Sequence, residues 1–146
     1  MSDPVLAHAL KHKPALIEAL KTLVACPSIG ADPAMAEGME AARKLIEARL
    51  DAMGFQNRRR LTPADNSGQP AIYAERMDAP GKPTILVYAH YDVQPPDPLD
   101  KWATPPFEAV ERDQRLYGRG ISDDKGPMMI ALGALAAFVA VEGALP

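Results

Sequence analysis

Apolar residues recur with the period of an α-helix in two runs over residues 5–53. Asp3 and Asp32 stand before these runs and each is followed by proline, the pattern of an N-cap with proline at the first helical position. Pro14 lies inside the first run and is expected to break or restart it, so that residues 14–25 form a second amphipathic segment. Gly54 is a suitable C-terminal glycine for the second run. The pattern predicts amphipathic helices packed on a core.

Four shorter stretches between the helices have the composition of strands. Residues 55–61 and 71–77 mix polar and apolar positions, and 108–117 fits a strand pair with a turn at its centre. Residues 84–89 differ because they are apolar on both faces, which predicts a central strand with a covering layer on each side. The turn residues at 78–83 are expected to link it to the preceding strand as a hairpin.

The last long apolar run, residues 127–142, is apolar nearly all round and predicts a buried helix that stops at Gly143. In an α/β fold a strand is expected after such a helix, yet only three residues follow Gly143. We therefore expect an α/β fold, a three-layer sheet with helices on both faces, that is truncated relative to the complete domain.

Composition narrows the classes of protein to consider. The 146 residues suffice for one domain, and with 47% hydrophobic residues and a net charge of −3 nothing favours disorder or a nucleic-acid partner. Cys26 stands alone, which rules out an internal disulfide and fits a reducing compartment. No signal peptide is evident, and Gly133 interrupts the longest apolar run, so we expect a cytoplasmic protein without a membrane partner.

Candidate chemistry lies at the end of the predicted central strand and in a glycine-rich turn before the last helix. His90 and Asp92 leave the same face of a strand, while Asp123 and Asp124 precede the helix. Strand ends and helix starts are where open α/β sheets place their sites. His90 is a candidate metal ligand, Asp92 is better placed to orient that ring than to bind directly, and Asp123 or Asp124 supplies a carboxylate.

Two simpler interpretations compete with a metal site. The histidine and aspartate pair, taken alone, is more typical of a polar strand end than of a metal site. The glycine-rich turn also resembles a phosphate-binding loop before a helix, although Asp123 and Asp124 would repel phosphate there.

Three motifs, taken together and in order, favour a metal site over these two interpretations. They are His-X-Asp-Val-X-Pro at 90–95, Trp-X-X-X-Pro-Phe at 102–107 and Tyr-Gly-Arg-Gly-X-X-Asp-X-Lys-Gly at 117–126, preceded by Leu-X-X-Leu-Val-X-X-Pro-Ser at 20–28. This set resembles the N-terminal part of the dinuclear zinc exopeptidase family that contains carnosine dipeptidases, carboxypeptidase G, aminoacylase and succinyl-diaminopimelate desuccinylase.

The resemblance implies roles for individual residues. His90 would be a terminal ligand of one zinc, Asp92 its catalytic orienting neighbour, and Asp123 a carboxylate bridging two zinc ions, with manganese or cobalt as alternatives. A cis peptide is expected at Asp123–Asp124. Lys125 and Arg119 are expected to support the loop rather than contact substrate. The implied substrates are small peptides or N-acyl amino acids, and the implied parent enzyme is a homodimer.

The chain departs from this family at its C-terminal end. The family also requires a glutamate pair, a further carboxylate and a histidine, all beyond residue 146, together with a lid and dimerisation domain. Residues 1–146 are therefore expected to be the N-terminal part of a metallopeptidase catalytic domain, without a general base and inactive alone. The alternative is a non-catalytic fragment that associates with a complementary or identical chain.

Overall fold

Three helices pack together in the computed structural model, which describes residues 3–65 and 67–146. Single-turn 3₁₀ helices lie at Pro33–Met35 and Leu99–Lys101. The helices are α1 (Pro4–Val24), α2 (Ala36–Ala52) and α3 (Lys125–Glu142). Each helix contributes buried apolar residues to one core, namely Leu20, Leu23, Val24, Ala42, Ile46, Met53, Met128, Met129 and Leu132.

The predicted capping signals are confirmed. The carboxylate of Asp3 accepts hydrogen bonds from two N–H groups of the first turn of α1, at 2.8 and 3.2 Å. The carboxylate of Asp32 accepts one from Ala34 at 2.9 Å. Gly54 and Gly143 follow α2 and α3 with φ of +75°, a left-handed conformation that favours glycine. Local sequence therefore determines where α1 begins and where α2 and α3 end, while Asp32 caps the 3₁₀ helix that precedes α2.

Pro14 does not break the first helix, contrary to the prediction, because α1 runs through it without interruption. Proline at this position removes the N–H that would bond to the carbonyl of Leu10. Both residues lie on the exposed side of α1, with Leu10 62% exposed. Water can therefore donate a hydrogen bond to the freed carbonyl, and α1 continues past Pro14 without a break.

The last helix is apolar around most of its circumference. By length and composition α3 is sufficient to cross a membrane, with 18 residues, a mean hydropathy of 1.5 and 33% of them buried; a core helix of a folded domain passes the same test. The helix continues through Gly133, as predicted for residues 127–142, but the expectation that no apolar run approaches membrane-spanning length is wrong. A side chain at Gly133 would meet Leu16 of α1, so this glycine permits close packing of the two helices.

The strands form two separate antiparallel pairs. β1 (Gln56–Leu61) pairs with β2 (Ala71–Glu75), and β3 (Val110–Arg112) pairs with β4 (Arg115–Tyr117). The turn between β3 and β4 has φ of 50° and 60° at Asp113 and Gln114, the two-residue hairpin turn whose twist matches the strands. The predicted hairpin through 78–83 is wrong, because β2 takes β1 as its partner instead.

Residues 84–89, predicted to form the central strand, belong to no sheet. Ile85, Leu86 and Tyr88 are 75%, 87% and 85% exposed. The three-layer arrangement is likewise not present within residues 3–65 and 67–146, where each sheet has two strands. The apolar pattern identifies a segment suited to burial, but burial requires neighbouring strands, and both observed pairs are closed hairpins that leave this segment aside.

An ion-pair network joins β1 to α2 through Arg58 and Arg60, two of three consecutive arginines on the exposed strand β1. Arg60 donates to both oxygens of Glu40 at 2.9 and 3.0 Å and to both oxygens of Glu47 at 2.8 and 2.9 Å. Arg58 pairs with Asp51 at 2.9 Å and Glu47 at 3.2 Å. The side chain of Glu47 is only 9% exposed, so this carboxylate depends on its partners.

We expect Glu47→Gln to destabilise the chain at neutral pH and much less in acid. The hydrogen bond from Arg60 lowers the pKa of Glu47 below its ordinary value of 4.5, despite opposing burial. Its stabilising contribution is therefore present above 4.5 and is lost as the pH falls through the lower, folded-state value. Urea unfolding at about pH 7 and about pH 3 measures this, with the exposed Glu18→Gln as control. An equal loss at both pH values would contradict the interpretation.

Candidate metal centre

The structure brings together the three residues proposed from sequence for metal chemistry. Nε2 of His90 lies 2.9 Å from Oδ1 of Asp123, although 33 positions separate them in the chain. Nδ1 of His90 lies 3.1 Å from the backbone carbonyl of Asp92 and 3.2 Å from its carboxylate. The imidazole is therefore held on one nitrogen by Asp92 and faces Asp123 with the other.

The loop that carries Asp123 is tied to the end of the 84–89 segment. The peptide bond between Asp123 and Asp124 is cis, which confirms the prediction from the family resemblance. A carboxylate oxygen of Asp124 accepts a hydrogen bond from the backbone N–H of His90 at 3.2 Å. The side chain of Asp123 is 83% exposed. Of the two adjacent carboxylates, Asp124 thus fastens the loop and Asp123 remains directed toward the imidazole.

The charges around His90 favour its protonated form. Partial burial lowers the pKa of His90, but the hydrogen bonds to Asp123 and to the carbonyl of Asp92, with the two carboxylate charges, raise it above its ordinary value. A metal ligand must be a neutral imidazole with a free lone pair. Binding of a divalent cation at Nε2 would therefore displace a proton from that nitrogen.

Buried polar contacts fix the backbone on which His90 and Asp92 stand. The hydroxyl of Ser28, a fully buried residue, donates to the carbonyl of Tyr91 at 2.6 Å, and the N–H of Val93 donates to the carbonyl of Ser28 at 2.8 Å. Ile29 and Val93 form a parallel bridge. The segment that follows α1 thus aligns the residues on both sides of Asp92.

The side chain of Tyr91 points away from the site and is clamped by α2. Its hydroxyl donates to the carbonyl of Pro70 at 2.6 Å and accepts from Arg43 at 3.1 Å. The guanidinium of Arg43, on a residue 7% exposed, also donates to Gln69 and Glu40, each at 3.1 Å. Since Tyr91 lies between His90 and Asp92, this clamp sets where both project.

The donor set of His90 and Asp123 fits zinc in chemistry and approximately in spacing. Tetrahedral zinc with bonds of about 2.0–2.1 Å holds two ligand atoms roughly 3.3 Å apart, so the pair would open by about 0.4 Å. The exposure of Asp123 permits such a shift. Within the described ranges, no group of three histidine, cysteine, aspartate or glutamate residues could hold a metal. Among the described residues, His90 and Asp123 are thus the two candidate ligands that the structure brings together.

Comparison with known proteins independently supports the family resemblance found in the motifs. The model of the peptidase family M20/M25/M40 matches residues 86–145, which include His90, Asp92 and Asp123. The chain resembles the N-terminal part of the M20 metallopeptidases. This finding confirms the family resemblance inferred from the motifs.

Relatives of this M20-like chain are considerably longer. It is 33% identical over 144 residues to the Beta-Ala-His dipeptidase of Rattus norvegicus, covering 92% of this chain and 29% of the relative. It is 30% identical over 141 residues to the Cys-Gly metallodipeptidase of Saccharomyces cerevisiae, covering 88% and 29%. The chain therefore spans less than a third of the length of these relatives.

Solved M20 structures share the fold of nearly the whole chain. The dipeptidase Dug1p from Saccharomyces cerevisiae superposes with a TM-score of 0.85 at 29% identity, over 97% of this chain and 32% of that protein. Human carnosine dipeptidase 1 gives a TM-score of 0.84 at 31% identity, over 94% and 31%. The fold of this chain is thus the one found in a part of these longer proteins.

The M20-like loop before α3 is anchored as expected by Lys125 and Arg119. The amine of Lys125, a fully buried residue, donates to the carbonyls of Leu23 and Cys26 at 2.9 and 2.8 Å. Desolvation lowers the pKa of Lys125 to about 8. Arg119 donates to the carbonyl of Pro95 at 3.2 Å, and its guanidinium carbon lies 5.3 Å from the centre of the Trp102 ring. Both cations bind the protein itself.

Ser28, Arg43 and Tyr91 position the site, and sequence reasoning assigned them no part in it. Ser28 does stand at the end of the quoted motif at 20–28, so its position in the M20-like pattern was a usable signal. Arg43 falls next to Ala42 on the buried face of α2, and an arginine that is buried must find partners. Tyr91 carries no signal beyond its place between two candidate site residues.

We expect Tyr91→Phe to lower the free energy of unfolding by about 1–3 kcal/mol, since the half-buried carbonyl of Pro70 and the buried guanidinium of Arg43 each lose a partner. Tyr88→Phe is the matched control because Tyr88 is 85% exposed, and it should change stability by less than about 0.5 kcal/mol. Urea unfolding of both variants measures the difference. Equal stability of the two variants would show that the clamp on Tyr91 is absent in solution.

Proposed function

We propose that this chain is part of a metal-dependent hydrolase of dipeptides or N-acyl amino acids, and that it is inactive by itself. The observation that carries the proposal is the 2.9 Å approach of Nε2 of His90 to the carboxylate of Asp123. These are two residues of the right chemistry, brought together from two separate motifs. The names of the relatives, a Beta-Ala-His dipeptidase and a Cys-Gly metallodipeptidase, support small peptides as the substrate class.

Each site residue has a role that its contacts support. His90 would bind one metal through Nε2, Asp92 would hold the opposite Nδ1–H and so fix the ring, and Asp123 would offer two oxygens to bridge a metal pair. Zinc, or manganese or cobalt, would polarise the amide carbonyl and lower the pKa of water. We assign residues 1–146 to the N-terminal part of the M20 catalytic domain and, from the single cysteine, place the protein in the cytoplasm.

The proposed inactivity follows from the residues that surround His90 and Asp123. Hydrolysis needs a positioned base to take the proton from water. Among the described residues, no third carboxylate, imidazole or thiol joins His90 and Asp123 in a metal-binding group. The carboxylate of Asp92 is engaged with the same imidazole, and that of Asp124 accepts from a backbone N–H.

Peptidase assays test this proposal with Beta-Ala-His and Cys-Gly as substrates and zinc, manganese or cobalt present. We expect zinc to bind only weakly, because His90 and Asp123 are two ligands of the larger set that a dinuclear site needs, and no peptide to be hydrolysed above the rate in buffer. His8 and His12 stack with ring centres 4.0 Å apart on α1 and offer imidazoles to metals, so the background variant is His8→Gln/His12→Gln. Hydrolysis that disappears in His90→Ala would contradict inactivity. Failure of the background variant to bind zinc would contradict the site.

A further inference from the structure

We propose that His8 and His12 form a second metal site near the start of α1, which takes a late divalent transition metal and binds copper more tightly than nickel or zinc. This site shares no residue with the pair of His90 and Asp123. The proposal rests on the described residues of one helix, so it does not depend on the hydrolytic function proposed above.

Helical geometry places the two imidazoles next to each other. His8 and His12 are four residues apart in α1, so their side chains leave the helix only about 40° apart in direction and about one turn apart along its axis. The ring centres lie 4.0 Å apart, with 23° between the ring planes. Two histidines at this spacing on one helix face are a known arrangement for holding zinc. The helix therefore presents both rings to a single cation.

A backbone hydrogen bond leaves one nitrogen of His12 ready to bind a metal. Nδ1 of His12 lies 2.9 Å from the carbonyl oxygen of His8. A carbonyl oxygen can only accept, so Nδ1 carries the proton and, in the neutral ring, the lone pair lies on Nε2. Metal-binding histidines usually donate their other ring N–H to a carbonyl or a carboxylate, which fixes the ring. His12 would therefore bind through Nε2.

Small rotations of the two rings bring both nitrogens to one cation. Late divalent metals bind imidazole nitrogen at about 2.0–2.1 Å, so two such nitrogens lie about 2.8–3.3 Å apart in square-planar or tetrahedral geometry. His12 is exposed and His8 is half-buried, so both rings can tilt without disturbing the core. Among the described residues, no third histidine, cysteine, aspartate or glutamate joins the pair. Water would take the remaining positions on the metal.

The charges around the pair determine which cations it takes. Lys11 and Lys13 stand on either side of His12, so the surroundings do not attract cations in general. Glu18, the only carboxylate within α1, forms a salt bridge of 2.7 Å with a lysine of its own helix, and Asp3 caps the first turn. Magnesium and calcium require oxygen ligands, which the pair does not offer. Imidazole nitrogen favours late transition metals, and among these copper binds most tightly.

Calorimetric titration with copper, nickel, zinc or magnesium tests the proposal in the His90→Ala variant, where the other candidate site does not contribute. We expect copper to bind at least about tenfold more tightly than zinc or nickel, and magnesium not to bind. Adding His8→Gln or His12→Gln should weaken copper binding by at least about tenfold, because one protein ligand then remains. Circular dichroism checks that each variant keeps its helices.

Exchange of two neighbouring side chains provides the matched control. His12→Lys/Lys13→His keeps the composition and charge of α1 but places the imidazoles five residues apart, about 140° around the helix. Both positions are exposed, so the exchange leaves the packed face of the helix unchanged. We expect this variant to bind copper as weakly as His12→Gln does. In the intact chain, paramagnetic copper should broaden the amide resonances of residues 5–13.

Three results would overturn the proposal. The first is copper binding by the exchanged variant that is as tight as that of its parent, because the spacing of the histidines would then be irrelevant. The second is copper that broadens only resonances near His90 in the intact chain. The third is magnesium binding as tight as copper binding. Zinc binding at His90 is measured in the variant that lacks both His8 and His12, so failure of one site leaves the other standing.

Discussion

Gly126→Ala is expected to lower the free energy of unfolding by about 3 kcal/mol or more, whereas Gly133→Ala in the same helix should change it by less than about 1 kcal/mol. A Cβ at Gly126 would lie 2.0 Å from the backbone oxygen of Ile121, which no side-chain rotation can relieve. The loop and the start of α3 would have to separate.

The control substitution places a methyl group against a side chain instead of the backbone. A Cβ at Gly133 would lie 2.7 Å from a terminal methyl of Leu16, which can rotate away. Alanine also favours a helix by about 1 kcal/mol relative to glycine, and both substitutions gain this amount. The gain offsets the mild clash with Leu16 at Gly133 but not the clash with the backbone at Gly126. The two variants therefore separate backbone contact from side-chain crowding.

Guanidinium chloride unfolding followed by circular dichroism measures both variants. Gly126→Ala should also release the restraint on the loop that carries Asp123, so zinc affinity should fall with stability. If Gly126→Ala were as stable as Gly133→Ala, the close approach of Ile121 and Gly126 would not exist in solution, and the loop geometry that places Asp123 would be wrong.

His90→Ala and Asp123→Asn are each expected to reduce zinc binding to background, measured calorimetrically in the His8→Gln/His12→Gln variant. Each substitution leaves one protein ligand, and a single ligand does not retain a divalent cation against water. Asp92→Ala should weaken binding by only about tenfold, the lower end of the range for residues that orient a ligand. The reason is that Nδ1 of His90 keeps the backbone carbonyl of residue 92, at 3.1 Å, as an acceptor.

Asp100→Asn is the control for these charge changes, since Asp100 is exposed and its nearest cation is Lys101 at 4.0 Å. This variant should bind zinc as the background variant does. Should Asp92→Ala prove as damaging as His90→Ala, Asp92 would be a direct ligand. Should Asp123→Asn bind normally while an Asp124→Asn variant does not, the assignment of the two adjacent carboxylates would be reversed.

The sequence predicts those parts of the fold that depend on local chemistry. Asp3, Asp32, Gly54 and Gly143 mark helix boundaries through hydrogen bonds and backbone conformations that one or two residues determine. The same logic fails for Pro14, because the carbonyl that this proline frees faces water, and sequence alone did not show which side of α1 is exposed.

Contacts between residues far apart in the chain are predictable only where a sequence motif indicates them. The motifs around His90 and Asp123 anticipate both their meeting and the cis peptide, which spacing alone does not supply. The clamp of Arg43 on Tyr91 was missed because it depends on the packing of α2 against the segment after residue 89. The burial of residues 84–89 was predicted from their apolar character. A strand is buried only when neighbouring strands pair with it, and the apolar pattern does not show whether they are present.

Nuclear magnetic resonance of the histidine side-chain nitrogens tests the central claim most directly, because the chain contains only three histidines. With the isotope-labelled chain, zinc should shift the Nε2 signal of His90 as metal replaces its proton, while Nδ1 keeps its proton, and Asp123→Asn should abolish the shift. If zinc left both nitrogens of His90 unchanged and altered only those of His8 and His12, His90 and Asp123 would not form a metal site.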